Sequence, residues 1–176
     1  IKSIRGSDPD AAVYWLARML HGGEDPKFIA RRMIVLSSED IGNADPHALT
    51  LAVSAFTAVD FIGMPEAALV LSQTAIYLAS CPKSNASYKA IGKAKEDVNN
   101  LPAYDVPLHL RNAPTKLMKD LNYGKEYKYA HDFDDNFAEQ QYLPDELKDK
   151  IYYSPSENGK EMDFKKRLND LWKNKR

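Results

Sequence analysis

The chain has 176 residues, 44% of them apolar and 28% charged, and its 24 basic side chains nearly balance 25 acidic ones. That composition excludes collagen-like and intrinsically disordered chains and fits a globular protein large enough to bury a core without staples. The single cysteine, Cys81, excludes an internal disulfide and a cysteine-based zinc site, and points to a reducing, cytoplasmic setting. The longest uncharged stretches, 46–59 and 67–82, are too short and too polar to span a bilayer, so no membrane partner is expected. The chain starts at Ile1 without a leader pattern, which reads as a piece excised from a longer polypeptide.

Helices are predicted first from their ends. Asp-Pro pairs at 8–9, 25–26 and 45–46 each open an apolar segment. The Asp carboxylate accepts from first-turn amides, and Pro at the first helical position loses no needed donor. Gly22-Gly23, Gly42 and Gly63 follow those segments, where helix ends favour a residue able to adopt positive φ. The result is helices near 8–21, 25–38 and 45–62. Pro65 opens a fourth to about Ser80, and Ser84 or Asn85 caps a fifth near 85–100.

The fifth segment carries an apolar stripe of Tyr88, Ile91, Ala94 and Val98, with Lys89, Lys93, Glu96 and Asn100 opposite, as expected of a helix on the bundle surface. The third and fourth are apolar nearly all round. Joined through Gly63 and Met64, they are expected to form a central antiparallel hairpin with the other helices around it. The fold class is therefore all-α, an orthogonal helical bundle over 1–100.

Residues 101–176 read as an aromatic and charged extension packed on that bundle. Pro102, Pro107 and Pro114 break the periodicity, a short helix is expected near 115–121, and 123–153 is irregular. Tyr127 and Tyr129 with Tyr152 and Tyr153 are candidates for short paired strands. A last amphipathic helix near 160–174 has Phe164, Leu168, Leu171 and Trp172 as its inner face. Seven acids crowd 131–149, whereas 160–176 holds seven bases against three acids, a face for a polyanion or simply a solvated helix.

Motifs of catalysis are missing. The chain contains no G-x-x-x-x-G-K-[ST], no H-E-x-x-H, no G-x-S-x-G and no dinucleotide-binding glycine fingerprint. An EF-hand loop starting at Asp132 fails, because Phe137 stands where Gly is needed and Leu143 where an acid is needed. His131 with Asp132, Asp134 and Asp135 reads as turns and an acidic face, and His109 as a structural or surface histidine. Neither catalytic residues, metal ligands nor a resident cofactor are expected in this chain.

What remains is a polar set: Arg5, Asp8, Arg31, Arg32, Glu39, Asp40 and Asp45. Arg5 before the Asp8 cap is expected to pair with an acid. Of the adjacent Arg31 and Arg32, at most one faces the core, and it then needs Glu39, Asp40 or Asp45 as partner. A second set, Tyr123, Tyr127 and Tyr129 with Lys165, Lys166 and Arg167, has the residue types for stacking bases and holding phosphates.

Several runs carry a family resemblance. They are Lys2-Ser3-Ile4-Arg5-Gly6-Ser7-Asp8-Pro9-Asp10-Ala11-Ala12, the stretch Ala30 to Pro46, Cys81-Pro82-Lys83-Ser84-Asn85, Val106-Pro107-Leu108-His109-Leu110-Arg111, Tyr129-Ala130-His131-Asp132-Phe133 and Gln140-Gln141-Tyr142-Leu143-Pro144. In order and along almost the whole chain, they resemble the replication-associated recombination protein A (MgsA) family, bacterial relatives of the Werner-helicase-interacting ATPase. Ala130 stands where family members often have Pro.

The resemblance implies the C-terminal region of a AAA+ ATPase related to clamp loaders, with an all-helical, collar-like oligomerisation domain that assembles a tetramer. It also implies ATP and Mg in an ATPase domain whose Walker motifs lie upstream of Ile1. Replication-fork maintenance, recombination and DNA repair, with contacts to DNA and to single-stranded-DNA-binding protein, are implied for the nucleoid-associated whole. The favoured function is thus homo-oligomeric assembly. The alternative is a module that binds nucleic acid or single-stranded-DNA-binding protein, and a free-standing enzyme using His131 or His109 ranks third.

Overall fold

A computed structural model describes residues 1–173. Among the described residues there are eight α-helices and no strand. The helices are α1 (Lys2–Arg5), α2 (Pro9–His21), α3 (Pro26–Leu36), α4 (His47–Ile62), α5 (Ala67–Ser80), α6 (Ala86–Asn100), α7 (Lys116–Asp120) and α8 (Glu161–Leu171). The all-α class is as expected. The tyrosine pairs do not form strands: Tyr127 and Tyr129 belong to a different compact unit from Tyr152 and Tyr153. The expected end of the last helix, at 174, lies outside the described residues.

The caps explain the helix starts. Asp8 accepts from Ala11 N–H at 2.9 Å and Asp25 from Lys27 N–H at 2.9 Å, each ahead of its proline. At the third Asp-Pro the helix begins later, at His47, whose N–H donates to Asp45 Oδ1 at 3.1 Å. Pro65 does not open α5. It lies in a turn, its peptide bond to Met64 cis, and Ala67 N–H donates to Gly63 O at 2.8 Å as the helix starts. The end of α3 is not a plain stop either. A π-helical turn, Ser37–Ile41, continues it until Gly42, whose φ of +52° halts the chain where a Cβ would be strained.

The chain divides into two compact units, 1–93 with 152–166, and 94–151 with 167–176. In the first unit α5 is the hub, touching α1, α2, α3 and α4. Its Leu71 and Leu78 are fully enclosed, along with Leu36 and Ile41, and each such side chain contributes roughly 1.5–3 kcal/mol. Helices α4 and α5, joined by a four-residue turn and packed on each other, make the expected antiparallel hairpin.

The second unit is mostly irregular backbone with α7 and short 3-10 turns. Aromatic contacts hold it: Phe137 and Tyr142 meet the Trp172 ring edge-on at centroid distances of 5.1 and 6.4 Å. Lys150 pairs with Asp97 at 3.1 Å.

Candidate functional site

The first unit leaves apolar side chains in solvent. On α4, Leu49 and Val53 are over 40% exposed and Phe61 is 82% exposed. On α5, Leu69 is 73% exposed and Ile76 also lies open. Val53 and Phe61 sit two helical turns apart on one stripe of α4, and Leu69 and Ile76 do the same on α5. The reason is compositional. Both helices are apolar nearly all round, while the inward faces are met largely by alanines: Ala48, Ala52 and Ala55 on α4, Ala67, Ala75 and Ala79 on α5. Apart from Val59, Leu71 and Leu78, which are buried, many of the larger residues are displaced outward.

Helix α6 repeats this inversion. The stripe expected to face the bundle is the outer one: Tyr88, Ile91 and Val98 are all more than half exposed. Ala86 is buried and Ala90 and Ala94 are half-buried. Small residues allow close approach, and they, rather than the large ones, define the inner face. Tyr88 and Ile91 border a groove with Ile34 and Val35 of α3.

The polar set is only partly brought together. Arg5 Nε donates to Asp40 Oδ1 at 2.6 Å, and Glu39 lies 3.7 Å from the same guanidinium. The π turn after α3 presents both acids there. Asp40 is nearly enclosed, and its Oδ2 has no hydrogen-bond partner. The hydrogen bond to Asp40 holds the Arg5 guanidinium protonated even more firmly than usual. Asp8 stays local as a cap.

The expectation that Arg31 or Arg32 pairs with Glu39, Asp40 or Asp45 is corrected. Both arginines are exposed, because Ala30 and Met33 take the inward positions of α3. Arg31 instead approaches Asp25 at 3.7 Å and lies 5.5 Å above the Phe56 ring. Asp45 has another role: it accepts from Tyr77 OH at 2.6 Å, and that hydrogen bond, with burial, pushes the phenol up to about 12. Cys81 closes α5 as a buried thiol, and burial raises its pKa away from reactivity.

Sequence reasoning missed Glu161. It is completely enclosed, accepting from Ser84 Oγ at 2.6 Å, Ser156 N–H at 2.8 Å and Tyr153 OH at 3.0 Å. Burial alone would raise its pKa, but the donors Ser84, Ser156 and Tyr153 outweigh it and hold the carboxyl below the ordinary value. No local signal marks it, since Glu at a helix start is ordinary.

In the second unit the guanidinium of Arg111 is spoken for. Nε donates to Val106 O at 2.6 Å, Nη1 to Tyr123 OH at 3.2 Å, and the group lies 5.1 Å from the Tyr123 ring centre. Tyr123 is therefore half-buried structure, while Tyr127 and Tyr129 are about half exposed. His131 Nδ1 lies 3.1 Å from Asn136 Oδ1. Lys165 pairs with Glu157 at 2.7 Å. Lys165 and Lys166 belong to the first unit, and Arg167 and the three tyrosines to the second. Among the described residues no group of three His, Cys, Asp or Glu side chains is placed to hold a metal ion.

The fold defines an all-α helical region that presents a surplus of outward apolar helix surface, the kind of surface that marks an interaction site. A family model described as "MgsA AAA+ ATPase C terminal" matches residues 6–172, and the chain belongs to that family. It is 50% identical over 171 residues to "Replication-associated recombination protein A" of Haemophilus influenzae, covering 97% of this chain and 38% of that protein. Identity to the protein of the same name in Coxiella burnetii is 51% over 168 residues, covering 95% and 38%. "ATPase WRNIP1" of Dictyostelium discoideum is 47% identical over 153 residues, covering 86% and 18%. The chain thus spans 38% of the length of the two bacterial relatives and corresponds to the C-terminal part of a AAA+ ATPase.

Proposed function

We propose that this chain is the self-association region of a AAA+ ATPase acting in replication-associated recombination and repair, and that it assembles as a tetramer. The supporting observation is the exposed apolar stripe pair of the α4–α5 hairpin, with Val53 and Phe61 on one helix and Leu69 and Ile76 on the other. Water-exposed apolar area is worth roughly 25 cal/mol per Å² when covered, and a stable interface needs roughly 1,000 Å² in total. Aromatic and aliphatic anchors of this kind supply the centre of such a contact. ATP and Mg, and contacts with DNA and single-stranded-DNA-binding protein at the nucleoid, belong in this proposal to the whole ATPase.

Light scattering on the chain at tens of micromolar, on the order of weak interface affinities, tests it. The expected result is a multimer that Phe61→Glu with Leu69→Glu converts to a folded monomer of unchanged helical circular dichroism. A monomeric unsubstituted chain, or a multimer unaffected by the double change, overturns the reading.

A further inference from the structure

We propose that Asn158–Gly159 is a site of spontaneous modification: the asparagine cyclises onto the backbone, loses ammonia and opens to a carboxylate that releases 152–166 from the turn after α5. It is the only Asn-Gly pair in the sequence. Asparagine is one of the chemically labile side chains of a protein, and a glycine after it leaves the attacking backbone nitrogen unhindered by a side chain.

The reacting groups are open. Both residues are exposed and lie in a bend and turn ahead of α8, outside any helical hydrogen-bond ladder. The Gly159 N–H has no acceptor among the described residues, so no hydrogen bond has to break before its proton is lost. One contact restrains the side chain. Asn158 Nδ2 donates to Lys83 O at 2.9 Å, and the reaction waits on the opening of that bond.

The step needs water and nothing else. The Gly159 nitrogen forms a bond to Asn158 Cγ, the Cγ–Nδ2 bond breaks, and ammonia departs with the proton the nitrogen gave up, relayed by solvent. Water then opens the cyclic imide. Cleavage of the new N–Cγ bond leaves an aspartate. Cleavage at the original peptide carbonyl leaves an isoaspartate, whose backbone runs through Cβ and Cγ.

Neither product can make the bond that Asn158 makes. Carboxylate oxygens only accept, as does Lys83 O, so an attraction at 2.9 Å becomes a repulsion. Lys83 Nζ is already engaged by Ala79 O at 3.0 Å and Cys81 O at 2.5 Å, which keeps that cation from the new charge. In the isoaspartate, the Asn158 carbonyl that accepts from Glu161 N–H at 3.2 Å also leaves the backbone. The clasp around Glu161 therefore loosens in one direction, because the ammonia is lost to solvent.

The fold itself keeps the labile pair. Gly159 has φ of +52°, and an added Cβ would meet the Ala44 carbonyl, while Asn158 supplies the donor to Lys83 O. Each residue is needed where it stands, and side by side they are the reactive dipeptide. This inference does not rest on the assembly reading, since 158–159 lie outside the α4–α5 hairpin.

The test incubates the chain for days in mildly alkaline buffer at body temperature and maps its peptides by mass spectrometry, with isoaspartate resolved chromatographically. The peptide holding Asn158 should show the amide-to-acid mass gain before any peptide holding another asparagine. Glu161→Gln, which loosens the clasp, should speed that conversion. Asn158→Gln, whose longer side chain closes such a ring far more slowly, should remain unconverted with unchanged helical circular dichroism. Limited proteolysis within 152–160 should come sooner in the incubated parent and in fresh Asn158→Asp, while incubation should leave Asn158→Gln cut no faster than before. Conversion led by another asparagine overturns the proposal, as does no conversion in the folded chain over a period in which the same chain in urea converts fully. A converted chain cut no sooner than the fresh one, or a rate indifferent to Glu161→Gln, also overturns it.

Discussion

Ser84 and Glu161, 77 residues apart in the chain, share a hydrogen bond of 2.6 Å between Oγ and Oε2 inside the first unit. The same serine accepts from Ala86 N–H at 3.2 Å as α6 begins, so one hydroxyl serves a helix start and a buried carboxylate together. Around it, Asn158 donates to Lys83 O at 2.9 Å and Lys160 N–H to Ala44 O at 2.9 Å. These contacts fasten 152–166 to the turn after α5 and to Ala44 ahead of α4.

Glu161→Gln should destabilise the chain by about 2 kcal/mol, the scale of hydrogen bonds to a charged acceptor. The pH dependence has a definite sign. The folded state holds the carboxyl below its ordinary value, so the stabilisation is present above about pH 4.3 and is lost as pH falls below that, through the depressed folded pKa. Melting temperature followed from pH 7 towards pH 3 should show a steeper acid limb in the unsubstituted chain than in the variant, and parallel curves would remove Glu161 from the account.

Gly159→Ala should cost more than about 2 kcal/mol, from strain at positive φ together with a close approach. Gly159 has φ of +52°, and an added Cβ would collide with the Ala44 carbonyl and crowd Pro82. Urea unfolding should show a lower midpoint, and limited proteolysis should cut earlier within 152–160. A variant as stable as its parent would mean the backbone relaxes there at little cost.

Tyr77→Phe removes the 2.6 Å hydrogen bond to Asp45 Oδ2 and should cost roughly 1–2 kcal/mol. In the parent, one tyrosine should titrate near 12 by phenolate absorbance. Since the folded state keeps this proton more tightly, the contribution is full below the ordinary tyrosine value of about 10 and fades as pH rises from there through the folded value. An unchanged alkaline titration in the Phe variant would refute the assignment.

The resemblance to the MgsA family was legible in the sequence because its runs are contiguous, and the helices were legible because their punctuation is local. Asp8 and Asp25 each satisfy an amide within three residues, and Gly23, Gly42 and Gly63 adopt the positive φ their positions demand. Such signals need no knowledge of the rest of the chain. Periodicity was a weaker guide. It found the stripe of α6 but not its direction, because alanines on the other side permit a closer approach than Tyr88, Ile91 and Val98 would.

The sequence by itself determined the all-α class, the starts of α2 and α3 and the family, since these rest on neighbours within a turn or on runs of residues read in order. Only the tertiary structure decided that Arg5 pairs with Asp40, that Glu161 is enclosed, that 152–166 joins the first unit, and that His109, Asn112, Tyr127 and Tyr142 border one pocket. Each of those joins residues tens of positions apart. Burial and hydrogen bonding between such residues depend on where the whole chain has packed, which no local pattern encodes.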